Sequence, residues 1–528
     1  MPNSERTFIR TTWGLTRRKD KRKARGAVSA GCGLELTRPV PHYREMLSQT
    51  TVPDRRHSAD VVVIGFGLVG SVLARRLTES GARVLLVDSG SAAAIPGGTH
   101  LRNQPACRSD RTYHYDLVRA LLRPASVPRA NGGLTGRALP PTPDGKGVNA
   151  GQRARDNLVG ARVTNVLGGM GILWNCVAPR LNPAVEHWEG IDGDEWSTLY
   201  RYAEDALAVG TSVSSGRQER VLGLLADLGA RPAPVAARHH GAGVRWTGPA
   251  EVLPADGSWQ LIPELSVQRL THRNGRVVSA DAVALDTGER VVIEAGAFVV
   301  ATGGLRAPAL LWASGIHSEE RSALGHYLAD HPVSYGQLVL DQDLAEDDAD
   351  PFVIIPIDGD RPFHSLLLCD AYDANLLEGR VDERLIVSLY WYSLSRPRHE
   401  NRIRFTGQAF DATGLPQPTF EYTTTEADRA VARAALEDLR ATAGRLGEFL
   451  PSSQPRVLSP GSSLHVMGTT RMGVADDGHS VADTHGRVWG FDNLYLGGTG
   501  LIPSATATNP TLAACALAVR TADRVRRG

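Results

Sequence analysis

The sequence predicts an α/β protein in two interlocked parts: a discontinuous sheet of β-turn-α-β units and a second, mainly antiparallel sheet with helices. Three stretches carry that expectation. Ala59-Asp60 leads into the apolar run Val61-Val62-Val63-Ile64, then Gly65-Phe66-Gly67-Leu68-Val69-Gly70, a helical segment over 71–80, and a second apolar run from Arg83 to Val87 that ends on Asp88. A similar strand-glycine-helix unit recurs at Ala297-Phe298-Val299-Val300-Ala301-Thr302-Gly303-Gly304, followed by helical Ala307–Ser314. Alternating runs between residues 330 and 425 read as a separate sheet.

Each glycine of the first unit has a physical reason. Gly65 permits the tight turn, Gly67 lets backbone approach a pyrophosphate, and Gly70 lets helix and strand pack closely. A diphosphate would lie at the helix N-terminus, where unpaired amides and the macrodipole favour negative charge. Asp88, 23 residues after Gly65, stands where a carboxylate accepts hydrogen bonds from an adenosine ribose. An ordinary turn also fits a glycine triad; both strands, the helix and the acid together favour dinucleotide binding.

With 528 residues and 42% hydrophobic content the chain can bury a large core. Its net charge of +1 gives no global field that favours nucleic acid, a membrane surface or a polyanion. Lysine is confined to Lys19, Lys21, Lys23 and Lys146. Cys32, Cys107, Cys176, Cys369 and Cys515 are scattered, without a C-x-x-C pair, so reduced thiols and a cytoplasmic setting are expected rather than a disulfide frame or a metal site. No run approaches the length of a membrane span. Residues 1–57 form a basic, solvated arm; Arg17-Arg18 lacks the apolar region of an export signal.

In chain order, 123–155 is a Pro-, Gly- and Arg-rich loop. Asn165-Val166-Leu167-Gly168-Gly169-Met170-Gly171 then implies backbone packed against something flat or charged, with a plain turn as the alternative. A helix is expected over Asp194–Val209. Next come strands Glu264–Leu270, Val277–Leu285 and Arg290–Ile293, with turns at Arg273-Asn274-Gly275 and Thr287-Gly288. Runs such as Arg384–Tyr392 and Arg402–Phe405 suggest a separate sheet, and Val431, Ala435, Leu439, Ala443 and Leu446 form one face of an amphipathic helix. Asn493–Leu496 is a strand, and Asn509 as N-cap with Pro510 at N1 opens the last helix.

These motifs resemble the glucose-methanol-choline oxidoreductases, and within them the branch of pyranose oxidase and bacterial glycoside 3-oxidases. The matching pieces are Gly65–Gly70, Gly168-Gly169-Met170, Pro416-Gln417-Pro418-Thr419-Phe420, Leu464-His465-Val466-Met467-Gly468-Thr469-Thr470-Arg471-Met472-Gly473, and Asn493–Gly498 through Ile502-Pro503 to Asn509-Pro510-Thr511. The resemblance implies a discontinuous Rossmann-type FAD-binding domain (58–180, 261–328 and 462–528) and a substrate-binding domain (181–260 and 329–461). It implies FAD contacts from Gly65, Gly67, Leu68, Val69, Gly70, Asp88, Gly168, Gly169, Met170, Asn175, Cys176, Val267, Thr302, Gly303, Gly498, Thr499, Asn509, Pro510 and Thr511. In its fungal members a histidine before the Trp of the Gly-Gly-Met segment binds FAD covalently. Here that position is Leu173, so noncovalent FAD is expected.

The resemblance also makes His465 the catalytic base, assisted by Asn509, with hydride passing to flavin N5. An imidazole near its working pH can take a hydroxyl proton as hydride leaves the same carbon, although a core histidine is the ordinary alternative. His479 and His485, in a polar stretch, are surface residues on this reading. The implied reaction is oxidation of a secondary ring hydroxyl, C3 favoured, of a pyranose or a C- or O-glycoside. Oxygen or a quinone or dye would be the acceptor, no nucleic acid or membrane is involved, and a homo-oligomer is open. The stretch Cys369–Gly379 is read as a loop at the mouth of the site or a surface turn. Pyranose 2-oxidation of free glucose, a non-redox FAD lyase, a nicotinamide dehydrogenase and a nucleic-acid-binding arm are competing readings.

Overall fold

The computed structural model of the protein describes residues 55–92, 96–127, 148–153, 155, 157–211, 215–240, 243–255, 257–316, 323–341, 351–369, 386–450, 453–504 and 506–528. The chain divides into units 1–49 and 50–528, the first outside the described residues. Most of the expected loop 123–155 and nearly all of 369–379 also lie outside them.

Strand β1 (Arg55–Ile64) enters a Gly-rich turn and helix α1 (Leu68–Thr78), and β2 (Val84–Val87) returns parallel to β1 in the register Val61↔Val84 to Ile64↔Val87. All of Val61–Ile64 and Val84–Val87 is buried, as a parallel strand covered on both faces requires. Helix α2 (Gly193–Leu207) is capped by the Asp192 side chain and ended by Ala208 in the left-handed conformation, two residues short of the expected end.

Strands β3 (Trp259–Ile262), β4 (Leu265–Arg273), β5 (Arg276–Ala284) and β6 (Arg290–Val300) complete most of this sheet, in the order β4-β5-β6-β1-β2-β3. The two-residue turn Asn274-Gly275 has φ of 51° and 74°, the left-handed pair that suits a right-twisted hairpin. Arg290–Ile293 and Ala297–Val300, read separately in the sequence, are one strand. The break fails to appear because β1 begins at Arg55, so its polar first half pairs with Val291–Ala295 and Arg56 meets Glu294 at 2.9 Å. Helix α3 (Gly303–Ala313) follows β6.

The second sheet is antiparallel. Strands β7 (Val333–Leu340), β8 (Val353–Ile355), β9 (Phe363–Leu368) and β10 (Ile386–Ser393) carry it, with Gly447–Phe449 on one edge and Arg231–Pro232 on the other. Helix α4 (Glu426–Ala443) starts in a Thr425/Asp428 capping box. Its face Ala435, Leu439 and Ala443 packs with Leu338, Val387, Leu389 and Trp391, all fully buried. Leu446 joins that core from the turn after the helix, and Val431 is partly buried.

Strand β11 (Leu494–Leu496) rejoins the first sheet beside β6, and helix α5 (Thr511–Arg527) packs on α1 and α2. Leu512–Ala522 is buried all round. The one charge there, Arg520, is satisfied by Glu195 at 2.6 Å and by the Gly190 carbonyl at 3.0 Å. Among the described residues no helix is long and apolar enough to cross a membrane.

Candidate active site

Register brings the glycines together. Ile64 pairs with Val300 and Val300 with Leu496, so β1, β6 and β11 end side by side and hand over to Gly65, Thr302-Gly303 and Gly497-Gly498 at one edge of the sheet. That carboxyl edge is where ligands bind open α/β sheets. A Cβ on Gly65 (φ 108°) would come within 2.6 Å of the Ala301 carbonyl oxygen, and one on Gly70 within 1.9 Å of the Gly65 oxygen. Gly67 is different: no atom lies within 4 Å of where its Cβ would be. Gly65 and Gly70 thus close the turn, while Gly67 backs onto open space at the start of α1, whose end carries no side-chain cap. Leu68 is buried and Val69 half-buried in that first turn.

A second wall comes from the segment after Asn165. Ser91 and Val166 form a parallel bridge, and Leu167 N–H donates to the Ser91 carbonyl at 3.0 Å. Gly168 (φ 91°) and Gly169 (φ 56°) then turn the chain so that Gly171 packs against Leu68 of α1, where a Cβ would stand 2.9 Å from Leu68 Cγ. Met170 is half-buried beside them, and Gly169 and Gly303 have open space at their α-carbons. Asn175 Oδ1 accepts from Val177 N–H at 3.0 Å. Cys176 is buried in a left-handed conformation, and burial pushes its thiol far up, so it is an inert packing residue in a tight bend. His100 fixes this bend: Nδ1 accepts from Arg102 N–H at 3.0 Å, so Nε2 carries the proton and donates to the Trp174 carbonyl at 2.9 Å. Leu173 lies against the cluster of Leu101, Cys107, Leu121, Val166 and Ile172 and offers no nucleophile.

Asp88 accepts from Phe66 N–H at 2.7 Å and from Gly90 N–H at 2.6 Å. Burial raises its pKa, and those two amides and Arg306 oppose the rise. Each oxygen keeps a further lone pair for a ribose hydroxyl. Val267, buried on β4, is two residues beyond Leu265, whose N–H donates to the Asp88 carbonyl at 2.9 Å. Arg306, which the sequence reading missed, ties α3 to the second wall through the Thr164 carbonyl at 3.3 Å and the Asn165 side chain, and pairs with Asp411 at 3.2 Å.

His465 and Asn509 come from the C-terminal third. Ala329 and Met467 exchange both backbone hydrogen bonds, at 3.1 and 3.0 Å, and this bridge sets His465 beside His331. The His465 ring is half-buried and its Nδ1 is sealed from solvent without a partner. Burial, then His331 and His364, hold its pKa well below the ordinary imidazole value. Thr499 donates to the Val466 carbonyl at 2.7 Å, and a Cβ on Gly304 would come within 2.6 Å of the same oxygen, so the segment carrying His465 lies directly on α3. Gly498 has φ 119°, which permits this approach.

Asn509 is 4% exposed, and its Oδ1 is buried with no hydrogen-bond partner. The sequence reading gave it the N-cap of the last helix. Instead Pro510 takes the cap position in helical conformation and Thr511 is the first helical residue, with no side chain capping the end. Asn509 Oδ1 therefore has no capping role. Its loop is held from behind by Glu186, a buried carboxylate that accepts from Ala507 N–H at 2.7 Å, Thr508 N–H at 2.9 Å, Thr508 Oγ1 at 2.7 Å and Asn182 N–H at 2.9 Å. Glu186, Asp330, His331 and Ser463 carry no local motif and become visible when the loops are packed. His479 is exposed, donor or acceptor to Tyr327 Oη at 2.9 Å, and His485 is half-buried.

The residues fit a bound flavin dinucleotide. Gly67 and Gly303 face open space along the sheet edge and Gly169 does so on the second wall, α1 and α5 start without side-chain caps, and Thr302 Oγ1, His465 Nδ1 and Asn509 Oδ1 are buried polar atoms without a protein partner. Gly65, Gly67, Gly70, Thr302, Gly303 and Gly498 would hold it along that edge, and Asp88 at its ribose end.

Family models described as GMC oxidoreductase match residues 242–333 and 397–518. A C-glycoside 3-oxidase of Arthrobacter globiformis is 31% identical, covering 89% of this chain and 95% of its own. A pyranose 2-oxidase of Emericella nidulans is 28% identical, covering 94% and 95%. Among solved structures, pyridoxine 4-oxidase from Mesorbium loti shares the fold, with TM-score 0.63 and 19% identity, covering 89% of this chain and 99% of that chain. Fold, glycine cradle and homology agree: the chain belongs to the GMC oxidoreductase family, and its cofactor is FAD.

Proposed function

We propose that this protein oxidises a secondary ring hydroxyl, C3 favoured, of a pyranose sugar or a C- or O-glycoside to the keto sugar. The observation that carries the reading is the placement of His465 at the glycine-lined edge, where the carbonyl of the next residue, Val466, accepts from Thr499 at 2.7 Å and lies on Gly304. The relatives named for C-glycoside 3-oxidation and pyranose 2-oxidation, aligned over nearly the whole chain, support a sugar as substrate. FAD, when bound, supplies the hydride acceptor.

The chain's own part is to hold and move a proton. A neutral His465, kept so by burial and by His331 and His364, takes the proton of the substrate hydroxyl. Such general-base assistance contributes about 10²- to 10⁴-fold. Asn509, donating from Nδ2, binds the same oxygen without competing for the proton, and exclusion of water strengthens both contacts. Leu173 at the attachment position supports noncovalent FAD. Binding energy from an aglycone can be used to orient C3, so glycosides should exceed free glucose in kcat/KM. Oxygen or a quinone accepts the electrons in turn.

Oxidation at C2 of free glucose is the second reading, supported by the 94% coverage of the chain by the Emericella pyranose 2-oxidase. An anaerobic panel of sugars and glycosides, scored by loss of flavin absorbance with the product identified by NMR, separates the two. A 2-keto sugar as sole product, or a clear preference for free glucose, overturns the C3 reading. Failure of every sugar to bleach the flavin overturns sugar oxidation altogether.

A further inference from the structure

A buried carboxylate stands behind the loop that carries His465. Asp330 is 2% exposed and lies between Ala329, which pairs with Met467, and His331, whose ring touches His465. Its two oxygens serve different donors. Oδ2 accepts from Gly461 N–H at 2.7 Å, and Oδ1 accepts from the Ser463 hydroxyl. Ser463 Oγ then accepts from His465 N–H at 2.9 Å.

The order of donors is fixed by chemistry. An ionised carboxylate only accepts, and a hydroxyl that donates to it turns its lone pairs toward the next N–H. The loop so held is strained at Leu464, a residue with a Cβ at φ 62°, while Gly461 takes its φ of 90° freely. Without an acceptor at Ser463 the His465 amide has no partner, and Leu464 can relax to an extended conformation, which turns the next side chain. The neighbours that shift the His465 ring are His331 and His364. Asp330 thus acts on backbone and leaves the basicity of the imidazole to its own surroundings.

We propose that Asp330, through the Ser463 hydroxyl, is the positioning residue that fixes the backbone at His465 and so the aim of its imidazole. This rests on His465 as the base.

The test is a double-mutant cycle on FAD-loaded protein, read by the limiting rate of anaerobic flavin reduction and by substrate affinity. FAD content and circular dichroism are checked for each variant. Ser463→Ala should lower the limiting rate by about 10- to 100-fold, the cost of misplacing a reacting group by an ångström or so, with affinity nearly unchanged. Ser463→Thr, which restores the hydroxyl, should recover most of it. In the His465→Ala background Ser463→Ala should cost nothing further, because there is no imidazole left to aim. A purely structural Ser463 would cost the same in both backgrounds, and that result, or a wild-type rate in Ser463→Ala, overturns the proposal. Should Ser463→Ala not yield folded protein, Asp330→Asn runs in the same two backgrounds with the same criteria. If His465→Ala itself reduces flavin at the wild-type rate, the base assignment has failed and this proposal falls with it. A slow His465→Ala beside a fast Ser463→Ala rejects the positioning role alone.

Discussion

The imidazole of His331 stands edge-on to that of His465, ring centroids 5.2 Å apart and planes at 87°, and Tyr392 closes on both rings at 5.8 and 5.6 Å. Neither ring nitrogen of His331 reaches a hydrogen-bond partner, although the Thr506 backbone lies near enough to favour its charged form; burial dominates and holds its pKa at about 4. His364, on β9 opposite Tyr392, is likewise buried with both nitrogens unpartnered, its pKa lowered to about 3. Burial disfavours a positive charge in this cluster and His331 and His364 oppose it further, so His465 should remain a neutral base below the ordinary imidazole pKa of about 6.5. The acid limb of the flavin-reduction rate should therefore fall below pH ~6.5, and His331→Phe should move it upward by removing one neighbour that opposes protonation. An acid limb at or above that value in the wild type would falsify this account.

The same histidines set how stability depends on pH. His100 at about 3, His331 at about 4 and His364 at about 3 all have folded pKa values depressed below the unfolded 6.5, and His465 shifts the same way. The unfolded chain therefore binds more protons as pH falls. Their contribution is complete above pH 6.5 and is lost progressively toward pH 4, each histidine costing about 1.4 kcal/mol per pH unit inside that window. Asp330, raised to about 6, and Asp88, also raised, run the other way, because the folded state takes up their protons first. Four histidines against two carboxyls leave a net loss on acidification. Thermal midpoints of the holoenzyme at pH 7, 6 and 5 should fall in that order, and His364→Phe should flatten the trend. A flat or rising series rejects it.

Local chemistry made the first sheet readable and hid most of the site's support. Gly65, Gly67 and Gly70 announce themselves because a turn, an approach and a packing contact all fall within six residues, and Asn274-Gly275 marks its hairpin by the same logic. His465 was legible through the motif around it. Asp330, His331, Glu186 and Ser463 were not, because each acts across a non-local contact: Ala329 against Met467, or Glu186 against Ala507 and Thr508, 321 and 322 residues away. Asn509 shows the opposite error. Its place before a proline reads as a cap, yet the helix starts later and leaves Oδ1 without a capping role.

That unpartnered Oδ1 makes a prediction of its own. A buried acceptor with no partner costs about 1–3 kcal/mol, and Asn509 Oδ1 is one. Asn509→Ala should keep or raise the stability of the FAD-free protein while lowering the rate of flavin reduction, the trade expected of a residue kept for function. Thermal melts of the apoprotein and anaerobic reduction of the holoenzyme measure the two halves. A clear loss of apoprotein stability would mean that Asn509 has a structural partner after all.

Glu186 should behave in the reverse manner. Glu186→Ala strips the acceptor from two buried backbone amides, those of Ala507 and Thr508, and from the part-buried amide of Asn182. Each stranded donor costs about 1–3 kcal/mol, so the variant should lose several-fold that of an ordinary surface substitution and shed FAD readily. Glu186→Gln keeps one acceptor oxygen and should fall between it and the wild type. Equal stability of all three proteins in urea would remove Glu186 from any role in holding the Asn509 loop.

The cradle itself can be dissected with two alanines placed three residues apart. Gly67 has φ −84° and ψ −174°, which any residue adopts, and open space where a Cβ would project. Gly67→Ala should therefore fold, with apoprotein stability within about 0.5 kcal/mol of wild type, while the added methyl occupies the approach to the helix N-terminus and FAD affinity falls. Gly70→Ala must place its methyl 1.9 Å from the Gly65 carbonyl oxygen, a backbone atom that cannot step aside without opening the turn. That variant should fail to fold or unfold far below the wild type, with or without FAD. Purification without added flavin, followed by FAD titration and thermal melts, distinguishes the two outcomes. Tight FAD binding by Gly67→Ala would place the pyrophosphate away from the start of α1, and a stable Gly70→Ala apoprotein would mean that the turn is looser than the backbone contact implies.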